Sequence, residues 1–401
     1  MKPARINLEK VALPALAFGA IGTLVCFALM LTGDGKQAMM QSYIFGYIFW
    51  VTITLGCFAM SVLYHLLRAK WVLPVLRLME SAGGAVMFLV MGLLLLPIVI
   101  PVLQGNDILY GWANAATRAS DLILHHKQNY LNPSFFGIRY AIYFASWIGI
   151  AYWFKNSTAR QERTGDIREE KKRNNASGPA FIWFVLSVTF AFTDWVMSLD
   201  SHWYSTMYGL WTGVNMCIGG FAFAVMIFCW NASREPYKSI INPDITRDLG
   251  NIMFVLTMLW GYTSISQYLI LWSGNLPDTN FYYVERSLFA WNIVGLVTIV
   301  GQFFLPFVML LTPRNKRIPA NLGRIAFLML LIHFVDIYQY VMPALRKGGP
   351  FVGGPVQHLF DALAFVSLGL LWVGLCGWLV QRHELLPAFD NRLVQGGQGA
   401  H

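Results

Sequence analysis

Three aspartates inside apolar segments are the residues of this sequence best suited to chemistry. Asp194 closes the run FIWFVLSVTFAFTDW, and Asp336 and Asp361 lie in two later apolar runs. A carboxylate inside a membrane costs about 2.5–3.5 kcal/mol on insertion scales, so such groups usually face protein or water and serve a function. At a helix rise of 1.5 Å per residue, these aspartates and Gln267 all lie about 8–9 Å below one surface.

Histidines and a tyrosine accompany two of these aspartates. His333, Asp336 and Tyr340 have i, i+3, i+7 spacing, which places them on one helix face. His358 and Asp361 are again three residues apart. Because a histidine beside a carboxylate has a tunable proton affinity, this pattern predicts a hydrated outer half-channel for protons.

A second polar group lies near the opposite surface. Arg77 and Glu80 are three residues apart in the third apolar run, and His65 ends the second run. They are candidates for an inner half-channel, and the alternative is an ion pair that joins helices. Asp200 and His202 are weaker candidates, because helix-end hydration and N-capping account for Asp200.

The composition indicates a membrane protein. Of 401 residues, 56% are hydrophobic and only 12% are charged, which is too little polar surface for a soluble chain of this length. The formal net charge of +9 comes from basic residues in the connections between apolar runs. That pattern reflects membrane topology and does not indicate a nucleic-acid partner.

Ten apolar runs are long enough for a membrane-crossing helix, which needs about 20 apolar residues. They are Val11–Leu31, Met40–Leu66, Val72–Leu103, Ser134–Phe154, Pro179–Leu199, Trp203–Trp230, Gly250–Trp272, Ser287–Leu311, Leu322–Met342 and Pro355–Val380. We therefore expect an all-α polytopic protein in which residues 1–401 form a single integral membrane domain. Pro97 and Pro101 predict that the third helix tilts, kinks or ends early. The first run resembles a signal peptide, but its length favours an uncleaved first helix.

The distribution of lysine and arginine predicts the orientation. With the N-terminus inside, 21 basic residues fall on the cytoplasmic side and 6 on the outer side, so both termini are expected to be cytoplasmic. The connection Lys155–Asn175 is then a charged cytoplasmic linker. The outer loop Gln104–Pro133 is apolar enough that we expect it to pack, on a neighbouring subunit for example.

No pattern of metal or haem ligands occurs in the sequence. The five cysteines are isolated within apolar runs, at Cys26, Cys57, Cys217, Cys229 and Cys376. Without Cys-x-x-Cys or Cys/His clusters, neither a zinc site nor an iron–sulfur cluster is expected. A transmembrane b-type haem needs two facing histidines, and His333 and His358 differ in depth. We expect this chain to bind no cofactor.

Five segments together carry a resemblance to a known family. They are LLRAKWVLPVLRLMES (Leu66–Ser81), HHKQNYLNPSFFGIRYAIYFASW (His125–Trp147), DWVMSLDSHWYSTMYG (Asp194–Gly209), RDLGNIMFVLTMLWGYTSISQYLILWSGNLP (Arg247–Pro277) and LLIHFVDIYQYVMP (Leu330–Pro343). In combination they resemble the F-type membrane subunit (ActF) of bacterial alternative complex III, in the NrfD/polysulfide-reductase membrane-subunit superfamily. The resemblance runs from about Arg68 to Leu393.

The resemblance implies ten helices, arranged as two four-helix bundles plus two flanking helices, in the bacterial inner membrane. It implies a multisubunit quinol oxidoreductase that passes electrons to a cytochrome c or a cupredoxin. The expected partners are a sister NrfD-like C-type subunit that takes quinol or menaquinol, an iron–sulfur/molybdopterin-like subunit, haem c subunits and lipids. The F-type subunit supports assembly and is proposed in that family to carry a proton route.

Three other functions are consistent with the residues. The chain could bind quinol itself, near Gln267 or His65, as other members of the superfamily do. It could be a secondary transporter whose polar groups bind substrate at mid-membrane, although transporters typically have broken helices in matching halves. It could also be a structural scaffold, which isolated ion pairs serve equally well.

Overall fold

The computed structural model describes residues 8–31 and 35–386, and within these ranges it contains helices and no β-strand. The all-α prediction is therefore confirmed for the described part of the chain. The α-helices are α1 (Glu9–Leu31), α2 (Lys36–Leu67), α3 (Leu76–Ala82), α4 (Ala85–Leu103), α5 (Ala115–Ser120), α6 (Leu122–Lys127), α7 (Pro133–Thr164), α8 (Ile167–Trp195), α9 (Tyr208–Trp230), α10 (Pro243–Gly274), α11 (Pro277–Glu285), α12 (Trp291–Ile299), α13 (Leu305–Leu311), α14 (Pro313–Arg317), α15 (Pro319–Leu345) and α16 (Gly354–Val380).

Local capping residues set the starts of three long helices. The side chains of Asn132, Asp166 and Asn242 accept hydrogen bonds from backbone N–H groups in the first turns of α7, α8 and α10. Proline follows both asparagines at the first helical position, where its fixed φ fits and no N–H is needed. Gly165, with a φ of +68°, ends α7 in the left-handed conformation that glycine adopts at little steric cost.

Nine helical segments of the described chain are long and apolar enough to cross a membrane, counting α3–α4 and α12–α13 as one segment each. The protein is therefore a multi-pass integral membrane protein. The predicted span Ser134–Phe154 is also helical, within the 32-residue α7. It is not one of the nine, because Arg139 and several tyrosine and tryptophan residues make it less hydrophobic.

Three predicted spans depart from continuous helices. The third is interrupted at Gly83 and Gly84, while both of its prolines lie inside α4. A Cβ at Gly83 would collide with the backbone of Phe58, so glycine permits this close approach. The fifth span ends at Trp195 and continues as a 3₁₀ turn, Met197–Asp200. The eighth contains a π-helical segment, Val300–Phe304, between α12 and α13.

The connection Lys155–Asn175, predicted as a charged linker, is almost entirely helical. Helices α7 and α8 continue through it, and only Gly165 and Asp166 lie between them. Ser157 and Arg173 are buried where the two helices meet. The charged residues therefore extend a helical hairpin beyond the apolar part of these helices.

The outer loop Gln104–Pro133 packs on its own chain. It contains the short helices α5 and α6, and Trp112 within it is fully buried. The Tyr110 hydroxyl donates to the carbonyl oxygen of Trp195 at 2.8 Å, and Lys127 Nζ donates to that of Ser201 at 2.7 Å. The apolar residues of this loop thus cover the outer end of α8.

Helix α2 lies at the centre of the structure, where nearly all of its side chains are buried. It packs against α8, α9 and α16, while α15 packs against α9, and α1 against α16. At the crossing of α2 and α9, a Cβ on Gly56 would collide with the Met216 carbonyl oxygen. A Cβ on Gly220 would likewise collide with the backbone of Cys57. Small residues therefore allow these two helices to touch backbone to backbone.

Candidate functional site

Asp194, in the last turn of α8, is bound by a cation from α7. Arg139 Nε and Nη2 donate to its two carboxylate oxygens, each at 2.8 Å, and the Tyr143 hydroxyl donates at 2.9 Å. The arginine also lies over the rings of Tyr130 and Phe135. Both charged side chains are buried. A two-pronged pair of this kind fixes geometry as well as charge.

Asp361, near the start of α16, has an equivalent partner. Arg346 Nη1 and Nη2 donate to its two oxygens at 2.9 and 2.6 Å, and the Ser42 hydroxyl donates at 2.7 Å. His358 lies further away, with its Nδ1 3.4 Å from the carboxylate. The predicted His358–Asp361 contact therefore exists, but the arginine supplies the main counter-charge.

Asp336, on α15, has no such counter-charge. Its side chain is buried, and Trp260 Nε1 on α10 donates to it at 3.0 Å. Within the described chain, no lysine, arginine or histidine forms an ion pair with this carboxyl group. A buried carboxyl group that lacks a cation is strongly favoured to take up a proton.

Buried polar atoms without a protein partner occur on α15, on α10 and in the π-helical segment between α12 and α13. The Tyr340 hydroxyl, one turn along α15 from Asp336, is buried and has no hydrogen-bond partner in the described chain. The same holds for both amide atoms of Gln302 and for Nε2 of Gln267. Because buried polar groups are almost always satisfied, these atoms mark positions suited to internal water.

Gln302 lies in the π-helical segment, which is held between α10 and α15. Its neighbour Gly301 faces the Ile332 side chain, and its other neighbour, Phe303, faces Gly261. Those contacts are next to His333 on α15 and Trp260 on α10. The fully buried Gln302 thus lies between Gly301, which contacts α15 one turn before Asp336, and Phe303, which contacts α10 next to Trp260. Such π-helical turns are frequent at functional sites.

His333 shares a helix face with Asp336, but its ring binds elsewhere. One ring nitrogen, Nε2, lies 2.9 Å from the Thr52 hydroxyl on α2, and Nδ1 lies 2.8 Å from Asn215 Oδ1 on α9. Both nitrogens are thereby occupied, and the imidazole joins three helices. The predicted His333–Asp336 relay therefore has no direct hydrogen bond in this conformation.

Arg286 forms an ion pair with Asp200 next to the backbone of Tyr340, one turn from Asp336. Arg286 Nη2 lies 3.4 Å from Asp200 Oδ2 and 3.5 Å from the Tyr340 carbonyl oxygen, and its guanidinium stacks 3.4 Å from the Tyr282 ring centroid. Burial raises the pKa of Tyr282 to about 12. Asp200, a weak candidate from sequence, thus pairs with an arginine that also contacts the backbone of α15 one turn from Asp336.

His202, the other weak candidate, lies in an exposed contact. Its Nε2 is 2.6 Å from Oδ2 of Asp121 in the outer loop. This hydrogen bond lowers the pKa of Asp121, and the backbone N–H groups that the carboxylate caps lower it further. This contact links the outer loop to the segment that follows the 3₁₀ turn after α8.

The inner group forms a cluster at a cavity of about 340 Å³. Arg77 Nη1 donates to Glu80 at 2.7 Å, and its Nη2 binds Glu162 at the end of α7. His65 Nε2 lies 3.7 Å from Glu80, and its ring stacks on Phe154. The helix break at Gly83 and Gly84 opens beside this cavity. The three predicted residues are thus brought together, with Glu162 as an additional member.

The inner and outer groups are separated by apolar packing. Ser61 lines the inner cavity, and Thr52 touches His333. These positions are nine residues apart on α2, which corresponds to about 14 Å at 1.5 Å per residue. Side chains such as Leu55 and Ala59 fill this interval and are buried.

Several site residues were missed from the sequence. Three of them are arginines that each bind one aspartate, namely Arg139, Arg346 and Arg286. A buried carboxylate needs a counter-charge, and a search for one among the arginines of the sequence could have found them. Trp260 and Gln302 had no comparable signal, because a tryptophan or an amide in an apolar run usually packs or caps. Across the described ranges, no group of three or more His, Cys, Asp or Glu side chains is placed to hold a metal ion.

No family model matches this chain, and no curated protein matches it. The class of the protein therefore comes from its own helices. It is an integral multi-pass membrane protein, and among the residues described by the structure Asp336 is a buried carboxyl group without a cation partner.

Proposed function

We propose that this chain is a proton-handling membrane subunit of a quinol oxidoreductase of the alternative complex III type. The observation that carries the proposal is Asp336: a buried carboxyl group with one neutral donor, Trp260, and no cation. A structural carboxyl group needs a counter-charge, as Asp194 and Asp361 have. One without a counter-charge is suited to bind and release a proton.

The surrounding groups support the same role. Tyr340, one turn from Asp336 on α15, Gln267, on the same helix as Trp260, and Gln302 have unpartnered polar atoms. Water bound to them would connect the carboxyl group to Asp200 and Arg286. On the inner side, His65, Glu80 and Glu162 face a cavity. The apolar interval between the two groups serves as the barrier that prevents passive leakage, and a proton crosses it only when side chains, water or local helix segments rearrange.

The remaining parts of the proposal follow from the resemblance. The chain has ten spans in two four-helix bundles with two flanking helices, both termini lie in the cytoplasm, and the membrane is the bacterial inner membrane. It binds no redox cofactor. A sister C-type subunit takes the quinol, and iron–sulfur and haem c subunits carry the electrons to a cytochrome c or a cupredoxin.

The complex assignment is tested by purifying the tagged native chain in mild detergent. We expect iron–sulfur and haem c subunits to co-purify and, after their removal, no haem Soret band from the chain. If the chain purifies without redox partners, the assignment to a quinol oxidoreductase is wrong.

Proton handling is tested in proteoliposomes that contain the whole complex. Asp336→Asn keeps the acceptor for Trp260 but removes the titratable proton, so quinol oxidation continues while proton release per electron falls. The matched control is Asp244→Asn, at an exposed site on the proposed cytoplasmic side. Wild-type proton release in Asp336→Asn, with normal assembly, would reduce Asp336 to a structural residue.

Orientation is tested with single cysteines and an impermeant thiol reagent in intact cells. Thr164, at the exposed end of α7, and Ser120, in the exposed outer loop, are suitable sites, whereas Ser157 is buried. We expect Ser120→Cys to react and Thr164→Cys to remain unlabelled until the cells are opened. The reverse pattern contradicts the orientation.

A second candidate function rests on the inner cavity. Its volume of about 340 Å³, its Phe58 and Phe154 walls and the adjacent His65 and Glu80 suit a planar ring with hydrogen-bonding oxygens, as in a quinol. A photoactivatable quinone that labels this cavity in wild type and fails to label His65→Ala would favour a quinol-binding subunit.

A further inference from the structure

A larger cavity lies between α15 and α16, with a volume of about 880 Å³. The two helices do not pack along each other, because α15 lies on α9 while α16 lies on α1 and α2. Phe45, Phe334 and Phe365 meet edge-on within it. Leu331 and Val366 line its sides and are about half exposed. We call this cavity the α15–α16 cleft; it opens towards the surface that faces the bilayer.

The ionisable and hydroxyl groups of the cleft lie at one end. Tyr338, His358 and Asp361 line its outer end, whereas Phe327 and Val373 line its inner end. Asp361 is neutralised by Arg346, which leaves His358, with a side chain 40% exposed, as the lining group that can meet a ligand. An occupant that matches this lining has one polar end and a long apolar body.

The cleft, at about 880 Å³, is too small to enclose a helix of a partner protein. A membrane-spanning helix about 30 Å long and about 10–12 Å wide displaces on the order of 2,000–3,000 Å³, several times the cleft volume of about 880 Å³. A flexible hydrocarbon chain fits the volume and can follow the aromatic surface.

We propose that the α15–α16 cleft is a binding site for one phospholipid, whose acyl chain fills the cleft and whose phosphate lies at His358. The exposed Lys347 does not line the cleft, but it follows Arg346, the partner of Asp361, in the chain and is therefore a further cation near the outer end of the cleft. Positive charge favours a phosphate over the uncharged oxygens of a quinone. The bound chain packs between the two helices just below the Arg346–Asp361 ion pair and stabilises it. This site is independent of the proposed proton route.

The test is native mass spectrometry of the full-length chain after stepwise delipidation. Wild type is expected to retain one phospholipid, and Leu331→Trp and Ala362→Trp, which fill the cleft from its exposed sides, are expected to lose it. Rebinding of added phosphatidylglycerol should weaken about tenfold or more, which corresponds to about 1.4 kcal/mol. Leu186→Trp, at an equally exposed site on α8, is the matched control and should behave as wild type.

The headgroup contact is tested with His358→Ala. It should lower retention of phosphatidylglycerol and leave retention of diacylglycerol, which has the chains but no phosphate, unchanged. Equal lipid retention in wild type and both cleft variants overturns the site, as does an equal loss in Leu186→Trp. Recovery of an isoprenoid quinone in place of a phospholipid overturns the assignment of the ligand, and equal loss of both probes in His358→Ala overturns the phosphate contact.

Discussion

Arg139 binds Asp194 from a position 55 residues earlier in the chain, with two hydrogen bonds of 2.8 Å between buried groups. The pair joins α7 to the last turn of α8. A buried pair of this kind contributes little net stability compared with an apolar pair of the same size. Removal of one partner, however, leaves an isolated charge in a low-dielectric environment.

The first prediction concerns this pair. Arg139→Leu should lower the free energy of unfolding by about 3–5 kcal/mol, because Asp194 loses its counter-charge. Much of the loss should be recovered in the double variant Arg139→Leu/Asp194→Leu. Denaturant unfolding in mixed micelles measures both. Arg247→Leu, which breaks an exposed pair with Asp244, is the control and should cost less than about 1 kcal/mol. Equal effects of Arg139→Leu and Arg247→Leu would contradict the buried pairing.

The two buried aspartates should differ in their response to the same substitution. Asp194→Asn leaves Arg139 without a counter-charge and should destabilise the protein by about 3 kcal/mol or more. Asp336→Asn removes no ion pair and still accepts the hydrogen bond from Trp260, so its effect should stay below about 1 kcal/mol. Thermal unfolding of the two variants side by side gives the comparison. A large loss in Asp336→Asn would reveal a cation partner in the folded protein.

Gln302 should be a stability liability. Its amide atoms are buried without protein partners. Internal water can bond to them only by becoming ordered, which costs up to about 2 kcal/mol for each water, and an amide that stays unbonded costs about 1–3 kcal/mol. Gln302→Leu should therefore raise the unfolding free energy by about 1 kcal/mol and, if the proposed proton route is correct, lower proton release. Gln357→Leu is the control: that amide donates to the Ala38 carbonyl oxygen, so its loss should destabilise. Destabilisation by Gln302→Leu would show that its amide makes strong hydrogen bonds.

Two glycines of α9 should respond oppositely to alanine. Gly220→Ala places a Cβ against the backbone of α2 and should cost about 3 kcal/mol or prevent folding. Gly213 has open space around its Cα, so Gly213→Ala should be neutral or stabilise by up to about 1 kcal/mol. Expression level and thermal stability in detergent report both. Similar behaviour of the two variants would exclude a tight α2–α9 crossing.

The outer loop should loosen in acid. The hydrogen bond from His202 lowers the pKa of Asp121 in the folded protein. For a carboxyl group with a lowered pKa, the stabilisation is fully present above its unfolded pKa of about 3.9 and is lost as pH falls through the folded value. Hydrogen exchange of α5 and α6 should therefore accelerate below about pH 4. Asp121→Asn retains the cap of α6 but should abolish this dependence; an unchanged acid response would assign it to another group.

The sequence predicts the helices well because bilayer thickness and hydropathy are local properties of a run of residues. The interruption at Gly83 is not predicted, since Pro97 and Pro101 are stronger helix-breaking signals in the same run. The ion-pair partners of the aspartates are harder to predict than the helices. The partners of Asp194 and Asp361 lie 55 and 15 residues away, and only tertiary packing chooses them among the available arginines. A π-helix such as Val300–Phe304 has no simple sequence pattern, so the position of Gln302 could not be foreseen.

The backbone contact at Gly56 and Gly220 limits how this molecule can move. A carrier that alternates between inward-open and outward-open states rocks one group of helices against another across a sliding interface. Helices α2 and α9 cross with no side chain between their backbones at these glycines, so a shift there would drive main-chain atoms into one another. Sliding of α2 past α9 is thereby opposed, whereas side chains, water and local helix segments stay free to move. That scale suits the passage of a proton, and it is too small for the alternating release of a bulky solute.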